Sequence, residues 1–399
     1  MKTVWWVKIG MLMAACMVLM VSASSGRQKE GKGKNEALAQ KLVGQCISIH
    51  EGEIVLITGG VRDAELLEDL AAQVRKVGAY PMIALGSDRL ARLMYTNVPE
   101  KYDSQAPELD LKLMNMVTAI INVDYSATEG ALAGIPAGRI AARGKAALSV
   151  TDVLVKRGVR GLNLGNNLYP TAELAKRFGL SQPELSKMFW DAVNVDYSKL
   201  QVTADAVRGT LAGGKEVHIT NPNGTDLKVR IEGRPVLTSD GVVSPEDMKR
   251  GFAASQVYLP AGEVFVAPVP GTVEGTVVVD KQFFQAKEIS GLKLTFKKGK
   301  LVSMTAKSGL EPLKALYDAS GAGKDLFGVI DLGINPAVSS GPGSKLLTWV
   351  PAGMVSLVCG NNVWAGGDNN TGFGLASFLP GSTVKVDGKI LVENGVAKF

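Results

Sequence analysis

Two histidines, His50 and His218, are all the imidazole in this 399-residue chain. A hydrolytic metal site needs three or more nitrogen, oxygen or sulfur ligands per ion and one open position for water. The chain has no HExxH motif and no close cysteine pair. His218 lies inside the strand-like run EVHIT and His50 follows a helix-like segment, so each reads as a structural histidine rather than a ligand. Carboxylates are the other hard donors. Glu263, Glu274, Asp280, Asp331 and Asp368 all fall in the C-terminal half, where a set of them could hold a hard ion such as magnesium or calcium.

Nucleophilic chemistry is less well provided for. No GxSxG elbow precedes a helix. Beyond the N-terminal leader two cysteines remain, Cys46 and Cys359, and neither has a histidine nearby in sequence to activate it. They read as small buried apolar side chains, and their separation predicts no disulfide. Thr58-Gly59-Gly60 and Gly165-Asn166-Asn167 follow strands but match neither the dinucleotide nor the phosphate-loop fingerprint, so they read as turns. The glycine-rich segment 365–374 (AGGDNNTGFG) is either a surface connector or a binding loop, and its composition does not separate these.

The elements that must position these residues follow an α/β rhythm. Apolar runs at 53–58, 80–85, 118–123 and 161–164 are bounded by glycine or polar turns and fit buried parallel strands. Helical spacing recurs between them. Leu66, Leu70, Val74 and Val77 form one stripe, with Asp63 placed to cap it, and further helices are predicted at 88–95, 109–116 and 135–156. Ser181 and Glu184 have capping-box spacing, and the stretch 197–211 reads as a connector helix. After Lys215 the pattern changes to short strands at 216–220, 227–231, 264–267, 275–279, 292–296 and 301–305, with hairpin signals at 221–224, 298–300 and 387–388 and one helix at 312–320. The fold class is therefore an α/β N-terminal open-sheet domain, 35–213, followed by a mostly antiparallel α+β C-terminal domain, 214–399.

Composition supports a globular chain: 46% hydrophobic, 21% charged, net charge +6. Basic residues are scattered apart from Lys297, Lys298 and Lys300, which read as a solvated hairpin tip, so no nucleic-acid partner is implied. Residues 1–23 place two lysines before an apolar run at 9–21 and a small-residue end, the order of a secretory signal peptide cleaved after Val21-Ser22-Ala23. The run is too short for a stable membrane span. Met13-Ala14-Ala15-Cys16 also resembles a bacterial lipoprotein box, but the chain stays apolar after Cys16, so export to the periplasm or medium is preferred over anchoring. Residues 24–34 read as a disordered polar linker.

Three segments together resemble the aminopeptidase T family of metallo-aminopeptidases. Residues 51–57 (EGEIVLI), 220–229 (TNPNGTDLKV) and, above all, 262–268 (GEVFVAP) match its motifs, and the resemblance covers nearly the whole chain beyond the leader. It implies an open α/β domain followed by a metal-site domain, a zinc, cobalt or manganese pair, a peptide or amino-acid-like ligand, and a possible homodimer. Glu263 matches the family's first metal-binding glutamate. Val329 falls at the second, with Asp331 two residues on as a substitute ligand on the same strand face. Ser356 falls at a histidine, Val363 and Trp364 near a tyrosine, and 372–374 near a final His-x-Asp pair. The expectation is an exported family member with a largely lost two-metal site, whose cleft still binds a ligand. Alternatives are an active peptidase with an oxygen-rich site and a structural assembly protein.

Overall fold

The computed structural model describes residues 32–339 and 345–399. The expected signal peptide, Cys16 and most of the linker lie outside these residues. The linker's last residues, 32–34, are already helical: α1 (Lys32–Gln40) starts there and runs into a π-helical turn (Lys41–Cys46).

Strands and helices then alternate as β1 (Ile54–Gly59), α2 (Ala64–Lys76), β2 (Tyr80–Leu85), α3 (Asp88–Thr96), α4 (Glu108–Met114), β3 (Ala119–Val123), α5 (Ala137–Arg157) and β4 (Arg160–Leu164). The helices α6 (Ala172–Phe178), α7 (Gln182–Val193) and α8 (Tyr197–Ala212) lead out. Next come β5 (Glu216–Asn221), β6 (Thr225–Arg230), β7 (Val236–Ser239), α9 (Pro245–Arg250), β8 (Gln256–Leu259), β9 (Glu263–Val266), β10 (Glu274–Phe284), β11 (Lys287–Lys297), β12 (Lys300–Thr305) and α10 (Glu311–Ala319). The chain closes with β13 (Phe327–Gly333), β14 (Asn335–Ser339), β15 (Pro351–Ala352), β16 (Val355–Gly360), β17 (Gly374–Phe378), β18 (Thr383–Val386), β19 (Lys389–Glu393) and β20 (Val396–Ala397).

Three main sheets result. A parallel sheet has the order β2-β1-β3-β4-β8, an eight-stranded antiparallel sheet β12-β11-β10-β6-β5-β18-β19-β20, and a five-stranded antiparallel sheet β17-β16-β13-β9-β7. The expected fold class is observed: a parallel α/β region followed by a mostly antiparallel one. Period-two alternation decides how the parallel sheet is covered. Val55 and Ile57 pack with Leu67, Leu70 and Val74 of α2 in the main core. Leu56 and Ile120 face the other way, in a second cluster with Met114 of α4 and Val150 and Leu154 of α5. The fifth parallel strand, β8, comes from beyond residue 214 and pairs with β4. Among the described residues no helix is long and apolar enough to cross a membrane.

Several local expectations hold. The Ser181–Glu184 capping box forms, and hydrogen bonds from Ser181 hold the Glu184 carboxyl below its usual range. Cys46 and Cys359 are buried and unpaired, and burial pushes the Cys46 thiol up to about 12. Others need correction. Asp63 does not cap α2; its carboxylate accepts instead from Tyr169 Oη at 2.6 Å and pairs with Arg62 at 3.0 Å. Strands β10 and β11 run for 11 residues each, because alternation continues past the apolar runs into a turn with left-handed Gln285 and Ala286. The elements β7, α9 and β8 were not anticipated. Each is only four to six residues long, and β8 is buried along its whole length, so it carries no alternation to read.

An ion-pair cluster locks α5 over the loop that follows α3. Asp103, almost fully buried, accepts from Arg139 and from Arg143, the latter at 2.6 Å. Burial alone would raise its carboxyl, but the two guanidiniums prevail and hold it below the usual aspartate range. A carboxyl that titrates lower when folded adds stability above its unfolded pKa and loses it as pH falls through the folded one. Asp103→Asn is therefore expected to cost about 3 kcal/mol at neutral pH, read by denaturant unfolding. The gap between variant and parent should narrow as pH falls below about 4, where the carboxyl of the unfolded chain begins to protonate while that of the folded parent is still held lower.

Candidate functional site

The segment carrying Glu263 passes from one sheet to another. It leaves the parallel sheet at the end of β8, crosses Pro260-Ala261-Gly262, and enters the antiparallel sheet as β9. Gly262 has φ +123°, and a Cβ there would lie 2.7 Å from the Asn335 Cβ, so only glycine fits. The Asn335 side chain ties the crossing down, donating to the Ala261 carbonyl at 2.6 Å and the Ala192 carbonyl at 3.0 Å. Glu263 enters fully buried, and Asn166 Nδ2 donates to its Oε1. The same amide reaches the Pro260 carbonyl at 3.2 Å.

Register places the other expected residues. Phe265 pairs with Asp331, and Asp331 with Ser356 on the next strand. Glu263, Asp331, Val329 and Ser356 therefore share one face of the five-stranded sheet. Asp331 is also fully buried. Tyr258 lies close to both carboxylates: burial first, then the charges of Glu263 and Asp331, push its phenol well above the usual value. Edge-to-face ring contacts continue in series from Tyr258 to Trp364 at 6.4 Å, to Trp349 at 6.1 Å and to Phe378 at 5.0 Å. The region expected to supply a tyrosine thus supplies Trp364 to an aromatic core.

The remaining candidates are elsewhere. His218 sits on β5 of the eight-stranded sheet and bonds Asp226 at 2.7 Å, while His50 is exposed beside Glu53. Glu274 and Asp280 lie exposed on β10, with Glu274 accepting from the Lys298 backbone at 2.7 Å. Asp368 lies exposed in the glycine-rich loop. That loop is internally braced rather than loose. Asn369 donates to the Gly323 and Gly360 carbonyls, and Asn370 reaches Leu148 and Asp152 of α5.

A centre holding two divalent ions calls for several donors per ion, imidazoles among them where zinc or cobalt is bound. The face described here offers two carboxylates and one hydroxyl, and one carboxylate oxygen already accepts from Asn166. Among the described residues no group of three or more His, Cys, Asp or Glu side chains could hold a metal ion. The donor set does not fit such a pair.

A second polar assembly escaped the sequence reading. Thr58, Asn122 and Asn163 are register neighbours across β1, β3 and β4. Thr58 Oγ1 donates to Asn122 Oδ1 (2.6 Å), and the Asn122 and Asn163 amides both donate to Asp124 Oδ1 (3.3 and 3.0 Å). The backbone N–H of Asn166, the residue whose side chain contacts Glu263, completes the chain to Asn163 Oδ1 at 2.9 Å. Gly165, with φ +148°, lets the backbone pass over Asp124, since a Cβ would lie 2.3 Å from the carboxylate carbon. The available signal was a polar residue inside each buried run, Asn122 in IINV and Asn163 in LNL.

Ligands of open α/β sheets sit beyond the strands' carboxyl ends where strand order reverses. Here that is between β1 and β3, and Tyr125 fills it: a Cβ on Gly60 or Gly86 would lie 2.8 or 2.5 Å from its side chain. Open space begins one strand further on. A small cleft with about 40 Å³ of room lies beyond β3 and β4, with Asp124, Asn167 and Thr171 on one wall and Phe283, Leu347 and Phe378 on the other.

The sequence profile of the thermophilic metalloprotease (M29) family matches residues 32–329. The chain belongs to that family. Glu263 lies within the matched region, and Asp331 and Ser356 beyond it. Among solved structures, AmpT from Thermus thermophilus is similar over 92% of this chain and 100% of its own, with TM-score 0.68 at 19% identity. A 2,5-dihydroxypyridine dioxygenase from Pseudomonas putida KT2440 is similar over 92% of this chain and 97% of its own, with TM-score 0.55 at 13% identity. At these identities the likenesses concern the fold. No curated protein sequence matches the chain. The resemblance to aminopeptidase T drawn from the motifs is borne out by the family match and the fold.

For this M29 chain, the Asn166–Glu263 contact is expected to act as a structural pair. Asn166→Ala should destabilise the fold by about 2 kcal/mol by removing a buried donor to the Glu263 carboxyl. Glu263→Ala should cost about 1–3 kcal/mol. The double variant should cost less than the sum, read from denaturant midpoints in a double-mutant cycle.

Proposed function

We propose that this chain is an exported M29 protein in which the two-metal centre of the aminopeptidase T type has been lost, and which binds peptide or amino-acid-like ligands without hydrolysing them. The observation behind this reading is the face shared by Glu263 and Asp331. Both carboxylates are fully buried there, Glu263 is engaged by the Asn166 amide, and Val329 and Ser356 stand where the resemblance places a glutamate and a histidine. A metal-activated water needs an open coordination position and a path for substrate. The neighbouring rings of Tyr258, Trp364 and Trp349 are buried, which argues against either.

The same shared face favours one second reading, an active peptidase with an oxygen-rich site built on Glu263 and Asp331. Metal content of the purified full chain, measured beside hydrolysis of amino-acid p-nitroanilides, separates the two. The expected result is metal well below one equivalent and no turnover after addition of zinc, cobalt or manganese. Glu263→Ala should then shift the thermal midpoint and leave hydrolysis unchanged at background. Near-stoichiometric metal whose removal abolishes turnover would overturn the lost-centre reading. Export is tested separately: mass spectrometry of the exported protein should find Ser24 as its first residue, and retention of residues 1–23 would contradict cleavage.

A further inference from the structure

We infer that the solvent face of the eight-stranded sheet is a docking surface for an acidic polysaccharide. Period-two alternation divides this sheet. Val217, Ile219, Leu227, Val229, Leu292 and Leu294 pack into the main core, and the residues between them face water. Strand register lines these outward residues up in rows across six strands, β18-β5-β6-β10-β11-β12. One row is largely cationic. Lys385 pairs with His218, His218 with Lys228, and Lys228 with Glu274. Gly275 pairs with Phe296, which sets Lys297 beside Glu274, and Lys297 pairs with Lys300 on the edge strand. The next row is hydroxylic: Thr383, Thr220, Asp226, Thr276, Thr295 and Ser303 pair in turn. With strands about 4.8 Å apart, each row runs for about 24 Å.

Charge on this face is unbalanced. Lys228, Lys293, Lys297, Lys300 and Lys385 are exposed, and among the described residues none of their ammonium groups pairs with a carboxylate. The acids of the two rows are engaged: Asp226 bonds His218 at 2.7 Å, and Glu274 accepts from the Lys298 backbone at 2.7 Å. Five lysines against these two acids leave +3, and residues 24–399 as a whole carry only +4, the total of +6 less Lys2 and Lys8. The adjoining pair, Glu216 and Arg230, is balanced. A patch of one sign draws in a polyanion. A face-to-face contact with a second copy would set like charge against like. Neither row has an aromatic ring for a base to stack on, the feature that single-stranded nucleic acid favours. Neither has the apolar side chains that sink a peripheral protein into lipid. A polyuronate carries a carboxylate and free hydroxyls on each sugar. Ammonium groups pair with the first by charge-assisted hydrogen bonds, and the threonine row meets the second.

The test is calorimetric titration of the purified full chain with polygalacturonate, neutral dextran, poly-L-glutamate, single-stranded poly-dT and phosphatidylglycerol vesicles. Polygalacturonate is expected to bind saturably and at least tenfold tighter than poly-L-glutamate, which has the carboxylates without the hydroxyls. Dextran, with hydroxyls alone, should not bind. Affinity for polygalacturonate should fall at least tenfold between about 50 and 200 mM salt, as counterion release requires. The double variant Lys228→Glu/Lys297→Glu should lose at least tenfold. Lys101→Glu/Lys112→Glu makes the same charge change on exposed lysines of the parallel region and should lose less than threefold. Thr276→Val/Thr295→Val, which keeps side-chain volume, should cut the preference over poly-L-glutamate below threefold. Thermal midpoints confirm that each variant is folded. No binding of polygalacturonate, an equal loss in the two lysine pairs, or an unchanged preference in the threonine variant would overturn the inference. Equal or tighter binding of poly-L-glutamate, poly-dT or the vesicles would overturn it as well, and would assign the face to that partner.

Discussion

A buried carboxyl group needs hydrogen-bond partners aimed at it, and for Glu263 the Asn166 amide is one of them. Much of the architecture follows from this contact. Asn166 stands at the end of the parallel sheet and Glu263 at the start of an antiparallel strand, so the bond fastens two sheets where the chain itself crosses between them. The crossing is tight enough to require Gly262 and is secured by Asn335. A partly satisfied polar network in a core is worse than none, which explains why so many asparagines converge here.

The same network shapes the open space. Asparagines from two adjacent strands orient Asp124, and Gly165 clears the backbone from its path. With Tyr125 filling the point where strand order reverses, the cleft lies one strand to the side, against apolar residues of the antiparallel region. Loops at the ends of the parallel strands supply one wall, and the antiparallel region supplies the other. Residues that resemble a metal site are thus packed among aromatic rings, and of the residues lining the cleft only Asn167 belongs to a segment singled out in the sequence, where it read as a turn.

Much of the fold was legible because period and punctuation are local. Apolar runs bounded by glycine gave the first four parallel strands, and helical stripes gave the helices between them. Paired left-handed residues such as Asp387 and Gly388 close the hairpins where expected. What stayed hidden was short or non-local. Four-residue β8 is buried throughout and pairs with a strand nearly a hundred residues earlier. Asp63 looked like a helix cap until Tyr169, far along the chain, proved to be its partner.

The sequence by itself determined the kinds of atom available: one motif glutamate, few imidazoles, and the alternation that builds a parallel region before an antiparallel one. It also carried the family, because the GEVFVAP segment is contiguous. Tertiary structure alone decided which polar groups meet. Strand register sets Asp331 on the face of Glu263, and sheet packing brings Asn166 to the same carboxylate. Such encounters depend on distances between residues far apart in the chain, which hydrophobic period and turn chemistry do not encode.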